Sequence, residues 1–276
     1  MKTKFSPIKN IFTVTVLTLF LFSNSAFSQD DEFENYRFDD DKTSSQKTPY
    51  FALSFGETAS FLFMNYDEIN SKNNVFNDEF SGPMLTWGFN FFTALSPLIN
   101  NARLGVSYQT GSKYLETSTN YPLLLPNGNT VNQNVNFYRN ISLRATGIHF
   151  DYAFVPLKSL AILPGIGVKW GNMILEQYMT VMPADWNNIG VTTTIPFNEK
   201  LNYKFLAFEP TVNVEYAFTG YLMFRASASY MLTMDSPFVK NAWTINGNNA
   251  YTGVPEGVKP QGFSVTLGLY LGLFNY

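Results

Sequence analysis

Six charged side chains and one histidine are the residues of this chain whose types and spacing could do chemistry: Arg144, His149, Asp151, Lys169, Glu209, Glu215 and Arg225. All seven fall on positions taken by small and polar residues within stretches that otherwise alternate with apolar ones. Three positive charges face three negative ones. If these positions line a narrow interior, unpaired ions there are expensive, so pairing is nearly forced. The set therefore reads as a salt-bridge plug, with a gate of exchanging pairs as the functional alternative. His149 is the only histidine and stands two residues before Asp151. A His-x-Asp pair can act as a base and its orienter, but no serine is spaced beside it, so a hydrogen-bonded interior histidine is expected and no catalytic residue is assigned. With one histidine and no cysteine, no transition-metal site and no cofactor are expected.

Eight alternating stretches must position these residues. They run over Tyr50 to Met64, Met84 to Ala94, Arg103 to Thr110, Asn140 to Val155, Leu160 to Met179, Leu201 to Phe218, Tyr221 to Thr233 and Phe263 to Phe274. The last is the cleanest, with Phe263, Val265, Leu267, Leu269, Leu271 and Leu273 set against Ser264, Thr266, Gly268, Tyr270 and Gly272. Period-two alternation of this length marks strands with one apolar face. The fourth stretch changes phase between Ala145 and Ile148, and the sixth near Ala207-Phe208, so bulges are predicted near Gly147 and Ala207. Glu57 shares the parity of Phe51, Phe55 and Phe61, which predicts a bulge at Gly56 or a rim position. Connections alternate long and short. That rhythm predicts an all-β, eight-stranded antiparallel up-and-down transmembrane β-barrel, whose tight turns lie on one side and whose free loops lie on the other.

The N-terminus fits export. Lys2, Lys4 and Lys9 precede a twelve-residue apolar core, Ile11 to Phe22, and Ala26-Phe27-Ser28 offers small residues for cleavage. The core is shorter than the ~20 residues of a spanning helix. Residues 1–28 therefore read as a signal peptide and 29–48 as an acidic flexible periplasmic tail, leaving 49–276 as the barrel. Without the leader, 15 basic residues stand against 21 acidic ones, which argues against nucleic acid as a partner. Aromatics make up 17% of the chain, including 27 Phe and 16 Tyr, while mean hydropathy is near neutral. A barrel that is apolar outside and polar inside averages in this way.

With its strands placed, the chain resembles the small eight-stranded outer-membrane barrels, the class of the OmpA membrane domain and OmpX, over Tyr50 to Tyr276. A final strand ending in Phe274-Asn275-Tyr276 looks like the aromatic-terminated sorting signal of that class. The context Ser28-Gln29 followed by acids resembles exported proteins of Bacteroidota. The resemblance implies a bacterial outer-membrane location, periplasmic termini, extracellular long loops, and outer-membrane lipid and lipopolysaccharide as surroundings.

The loops carry apolar residues that an exposed loop does not need: Leu123, Leu124 and Leu125 in the second, Trp186 in the third and Trp243 in the fourth. Such patches mark contact sites for another envelope protein, or they pack together and cap the barrel. The Leu123 run could also extend the sheet beyond the membrane or add a hairpin, giving ten strands. The expectation is a non-enzymatic barrel with a structural or docking role. A small-solute channel and a lipid-modifying enzyme are the alternatives.

Overall fold

The chain divides into two units, Met1–Lys47 and Thr48–Tyr276. The structure, a computed structural model, describes residues 50–72, 79–96, 98–124, 128–180, 198–247 and 249–275, all in the second. The leader and the acidic tail expected from the sequence lie outside them, as do Leu125 and Trp186. Twelve elements follow in order: β1 (Phe51–Met64), α1 (Asp67–Ser71), β2 (Met84–Ala94), β3 (Ala102–Leu124), β4 (Thr130–Tyr152), β5 (Phe154–Leu157), β6 (Leu160–Thr180), β7 (Asn198–Ala217), β8 (Leu222–Asp235), β9 (Trp243–Ile245), β10 (Asn249–Ala250) and β11 (Gly262–Asn275).

Eight of these strands close a barrel. β1, β2, β3, β4, β6, β7, β8 and β11 each pair antiparallel with the next, and β11 returns to β1 from Phe51↔Asn275 to Met64↔Gly262. From Leu62 the cross-strand partners run Ser264, Ser229, Thr211, Gly165, Asp151, Arg103 and Ala94. Ala94 stands one register step beyond Leu53↔Thr93, opposite Ala52, so the circuit closes with a stagger of ten residues. Such a barrel has an interior only wide enough for side chains. The ten-stranded alternative does not occur. The segment around Leu123 instead lengthens β3, which pairs with β4 as far as Leu124↔Thr130.

Side chains alternate inward and outward along the barrel strands. Phe55, Phe61, Trp87, Phe89, Val106, Ile148, Ile166, Val214 and Leu271 are among the apolar residues facing outward, making a predominantly apolar wall. No bulge forms at Gly56. β1 keeps one register against both neighbours, and Glu57 faces outward between Phe89 and Leu269.

The two predicted phase slips are absent as well. Pairing of β4 with β3 and β6 runs unbroken through Thr146 and Gly147. On β7 the partners of β8 are interrupted only at Glu209 and Pro210, and the register is the same on both sides. Proline has no N–H to give the ladder. The chemistry of the interior changes instead. Ile141, Leu143 and Ala145 on β4, and Tyr203, Phe205 and Ala207 on β7, point inward and are buried, joined by Leu62, Met64, Met84, Met173 and Met231. They form an apolar plug at the long-loop end, so apolar residues change parity there without any change in the backbone. Arg144 is consequently exposed on the outer face and takes no part in the interior network.

This inversion is open to test. Leu143→Arg places an unpaired charge in the plug and is expected to destabilise the barrel by about 3 kcal/mol or more. Arg144→Leu is expected to stay within about 0.5 kcal/mol of the parent. Reversible urea unfolding from detergent micelles reads both, and equal losses would restore the slipped register.

Candidate functional site

The interior charges gather toward the short-turn end. Arg103, at the start of β3, is fully buried with Asp151 on β4 and Glu215 on β7. Its Nε donates to Asp151 Oδ2 at 2.8 Å, and its Nη1 donates to Glu215 Oε1 and, at 3.3 Å, to the hydroxyl of Tyr50. Arg225 on β8 donates from Nε to the same Glu215 oxygen at 2.7 Å and from Nη1 to the Tyr270 hydroxyl at 3.1 Å. Asn213 Nδ2 donates to Asp151 Oδ1 at 3.2 Å, and its Oδ1 receives a hydrogen bond from Ser227 Oγ at 2.7 Å. The Phe92 ring lies beneath both guanidiniums, 4.1 Å from Arg103 Cζ and 4.4 Å from Arg225 Cζ. Two guanidiniums and two carboxylates therefore neutralise one another on an aromatic floor, which supplies cation–π contact as well.

A second pair sits nearer the middle. Lys169 Nζ lies 2.7 Å from Glu209 Oε2 and donates to Gln109 Oε1 at 3.0 Å, while Ser229 Oγ donates to Glu209 Oε1 at 2.9 Å. Between the groups lies a polar cavity of about 80 Å³, bordered by His149, Asn90, Ser107 and Thr266 among others. That volume holds a few waters. His149 Nε2 borders the cavity 3.7 Å from Asp151 Oδ2, too far for a hydrogen bond, and finds no partner among the described residues. Glycines make room for this layer: a Cβ at Gly105 would overlap the His149 ring, and one at Gly165 would overlap the Asp151 carboxyl.

Six of the seven predicted interior residues are inside: His149, Asp151, Lys169, Glu209, Glu215 and Arg225. Arg144 is not. Arg103 takes its place in the charge balance, and its parity with Gly105, Ser107 and Gln109 was the available signal. Of the loop residues, Trp243 is buried in β9, stacked on Tyr203 with ring centroids 4.6 Å apart. It caps the plug and offers no outward contact. Leu123 and Leu124 end β3.

Above the plug, at the long-loop mouth, lies a second cavity of about 340 Å³ that the sequence did not reveal. Its apolar lining includes Ile69, Phe80, Ile141, Leu175, Leu201 and Val254, and its polar lining includes Glu68, Lys72, Gln177 and Glu199. The first loop is fastened over it. Asn70 exchanges two hydrogen bonds with the Phe80 backbone, at 2.9 and 3.0 Å, and Arg139 Nη2 donates to the Ile69 carbonyl at 2.8 Å. Tyr66 packs on Phe80, and burial pushes its phenol pKa up to about 12. The cavity is of pocket size, and its lining mixes apolar residues with charged ones that also include Arg139 and Glu176.

A closed barrel with an apolar outer wall and a charge-paired interior has the architecture of a transmembrane β-barrel. No family model matches the chain, and no curated protein matches it in sequence. Among solved structures it is similar to Ail, the attachment invasion locus protein of Yersinia pestis, with 8% identity, 83% of this chain and 100% of that one covered, and a TM-score of 0.38. It is also similar to a major outer membrane protein of Thermus thermophilus, with 12% identity, 80% and 99% covered, and a TM-score of 0.45. A third is the outer membrane protease OmpT of Escherichia coli, with 11% identity, 84% and 98% covered, and a TM-score of 0.29.

Arg103→Met leaves Asp151 and Glu215 without their shared guanidinium in a buried layer. The expected loss is about 3–5 kcal/mol of unfolding free energy, measured by urea titration of the refolded barrel. A loss under about 1 kcal/mol would show that water replaces the guanidinium at no cost.

Proposed function

We propose that this protein is a non-conducting, non-enzymatic barrel of the bacterial outer membrane that docks another envelope protein through the part of its wall standing outside the membrane. In this reading the short turns and both ends of the barrel wall are periplasmic, the long loops are extracellular, and lipid with lipopolysaccharide surrounds the apolar wall. The observation that carries it is the height of one side. β3 and β4 have 23 residues each, and a crossing strand needs about 9–11. Beyond Thr86↔Gly111, β3 pairs with no strand on its β2 side among the described residues, and only Lys113 reaches across, to the Gly82 and Pro83 carbonyls. The projecting sheet carries a ladder of tyrosines: Tyr114 and Tyr138 with ring centroids 5.9 Å apart, and Tyr138 stacked on Tyr178 at 4.7 Å. Tyrosine is enriched where proteins meet, because a rigid ring gives contact area and its hydroxyl gives a hydrogen bond. The mouth cavity adds a pocket for an anchoring side chain.

The apolar plug supports the non-conducting part, since ions do not cross a layer of Leu, Met and Phe without hydration. Planar-bilayer recordings of the refolded barrel are expected to show no stable openings, and a steady conductance would favour the channel. For docking, the readout is quantitative mass spectrometry of proteins that co-purify from native membranes. Tyr114→Ser combined with Tyr178→Ser, and separately Leu201→Trp to fill the cavity, are expected to lower one specific partner by about tenfold, as losing a contact hot spot would. An unchanged partner set, or none in the parent, would contradict docking.

A further inference from the structure

Glu57 is the seventh of fourteen residues in β1, and its side chain is exposed on the outer face. Its neighbours along that face are Phe55 and Ala59, and across it Phe89 and Leu269. Apolar residues continue in every direction: Leu53 and Phe61 on β1, Trp87 and Phe91 on β2, Leu267 and Leu271 on β11. Among the described residues it has no hydrogen bond and no ion pair, and no outward charge on β1, β2 or β11 accompanies it. The carboxyl therefore stands near the middle of the lipid-facing wall, with half of a ~30 Å hydrocarbon layer on either side. A glutamate side chain cannot span that distance to the headgroups. Ionisable groups at such depth are costly and mark sites that are used.

We infer that Glu57 marks a two-fold contact between two copies of this barrel, in which the carboxyl of one meets the carboxyl of the other. Three considerations select a second copy as the occupant. Copies in one membrane share their orientation, so the axis relating them runs along the membrane normal, and a residue near it meets its own counterpart at the same depth. One charged residue at one depth is all that this contact needs, and Glu57 is the one charged residue of β1, β2 and β11. A pair of carboxyls sharing a proton is also self-complementary, one donating and the other accepting in a short hydrogen bond. Finally, small residues stand on its β11 side, while Trp87 faces Ala59 from β2. Ala59 on β1 and Ala226 and Ala228 on β8 occupy outward positions around Leu267, while Phe55 and Phe89, with ring centroids 5.8 Å apart, stand on one flank.

The test uses the full mature barrel reconstituted in lipid bilayers, with its oligomeric state read by single-molecule photobleaching at graded density. The parent is expected to dimerise. Glu57→Gln, whose amide also donates and accepts, is expected to dimerise within about threefold of the parent, and Glu57→Leu to weaken the dimer by about tenfold or more, the scale of a charge-assisted hydrogen bond. Leucine is at home on a lipid-facing wall, and heat-modified gel mobility checks that each variant is folded. Because the chain has no cysteine, Ala59→Cys supplies a second readout. It should cross-link to its own copy, whereas Val168→Cys on β6, across the barrel, should not. The inference is overturned by a monomeric parent at all densities, by a Glu57→Leu dimer as tight as the parent's, or by equal cross-linking at both positions. Cross-linking of Ala59→Cys in native membranes to a different protein, and not to itself, overturns it as well.

Discussion

Buried charge in a space too narrow for bulk water is the constraint on which the rest of this barrel depends. Eight strands with a stagger of ten residues leave room for side chains and little else. Arg103 meets that constraint by bridging carboxylates on two separate strands, Asp151 on β4 and Glu215 on β7. Through Glu215 it is joined to Arg225 on β8, through Arg225 to Tyr270 on β11, and through its ring contact to Phe92 on β2. One cluster thus ties together strands from all around the wall. The charges of this cluster are paired, although Arg103 Nη2 and the neighbouring His149 Nε2 have no hydrogen-bond partner among the described residues, and removing one charge of such a pair is what a buried network tolerates least.

That arrangement divides the molecule's tasks. The ionic layer and the apolar plug fill the interior, with a few waters' worth of space between them. What remains available for recognition is outside: the projecting strands with their tyrosines, the mouth cavity, and the lipid-facing wall interrupted by Glu57. A barrel filled in this way presents a rigid frame, and a rigid frame lowers the ordering cost of whatever binds to it.

Much of the fold was legible because alternation is a direct consequence of strand geometry. Side chains point to opposite faces in turn, and one face meets lipid. The same rule misled where its premise failed. Ile141, Leu143, Tyr203 and Phe205 are apolar but inward, because the long-loop end of the interior is closed by a hydrophobic plug. Treating every apolar residue as outward forced two bulges that do not exist and placed Arg144 inside. Arg103 was overlooked because it opens its strand, although its parity was correct. The upper halves of β3 and β4 are rich in Ser, Thr and Asn. Above the membrane the outer face no longer meets lipid, so the contrast that marks a strand fades even though Val135 and Phe137 are buried on the other face. The mouth cavity is assembled by segments distant in the chain, Ile69, Ile141, Leu201 and Val254 among them, and no local pattern announces it.

The central claim is that the interior is held by mutually compensating charges. A double-mutant cycle between Arg103→Met and Glu215→Gln tests it most directly, using reversible unfolding of the barrel from lipid vesicles. If the guanidinium and the carboxylate compensate one another, the two losses are strongly non-additive, with a coupling energy of about 2 kcal/mol or more. Additive losses, within about 0.5 kcal/mol, would mean that each charge is accommodated alone, and the account of the interior would be wrong.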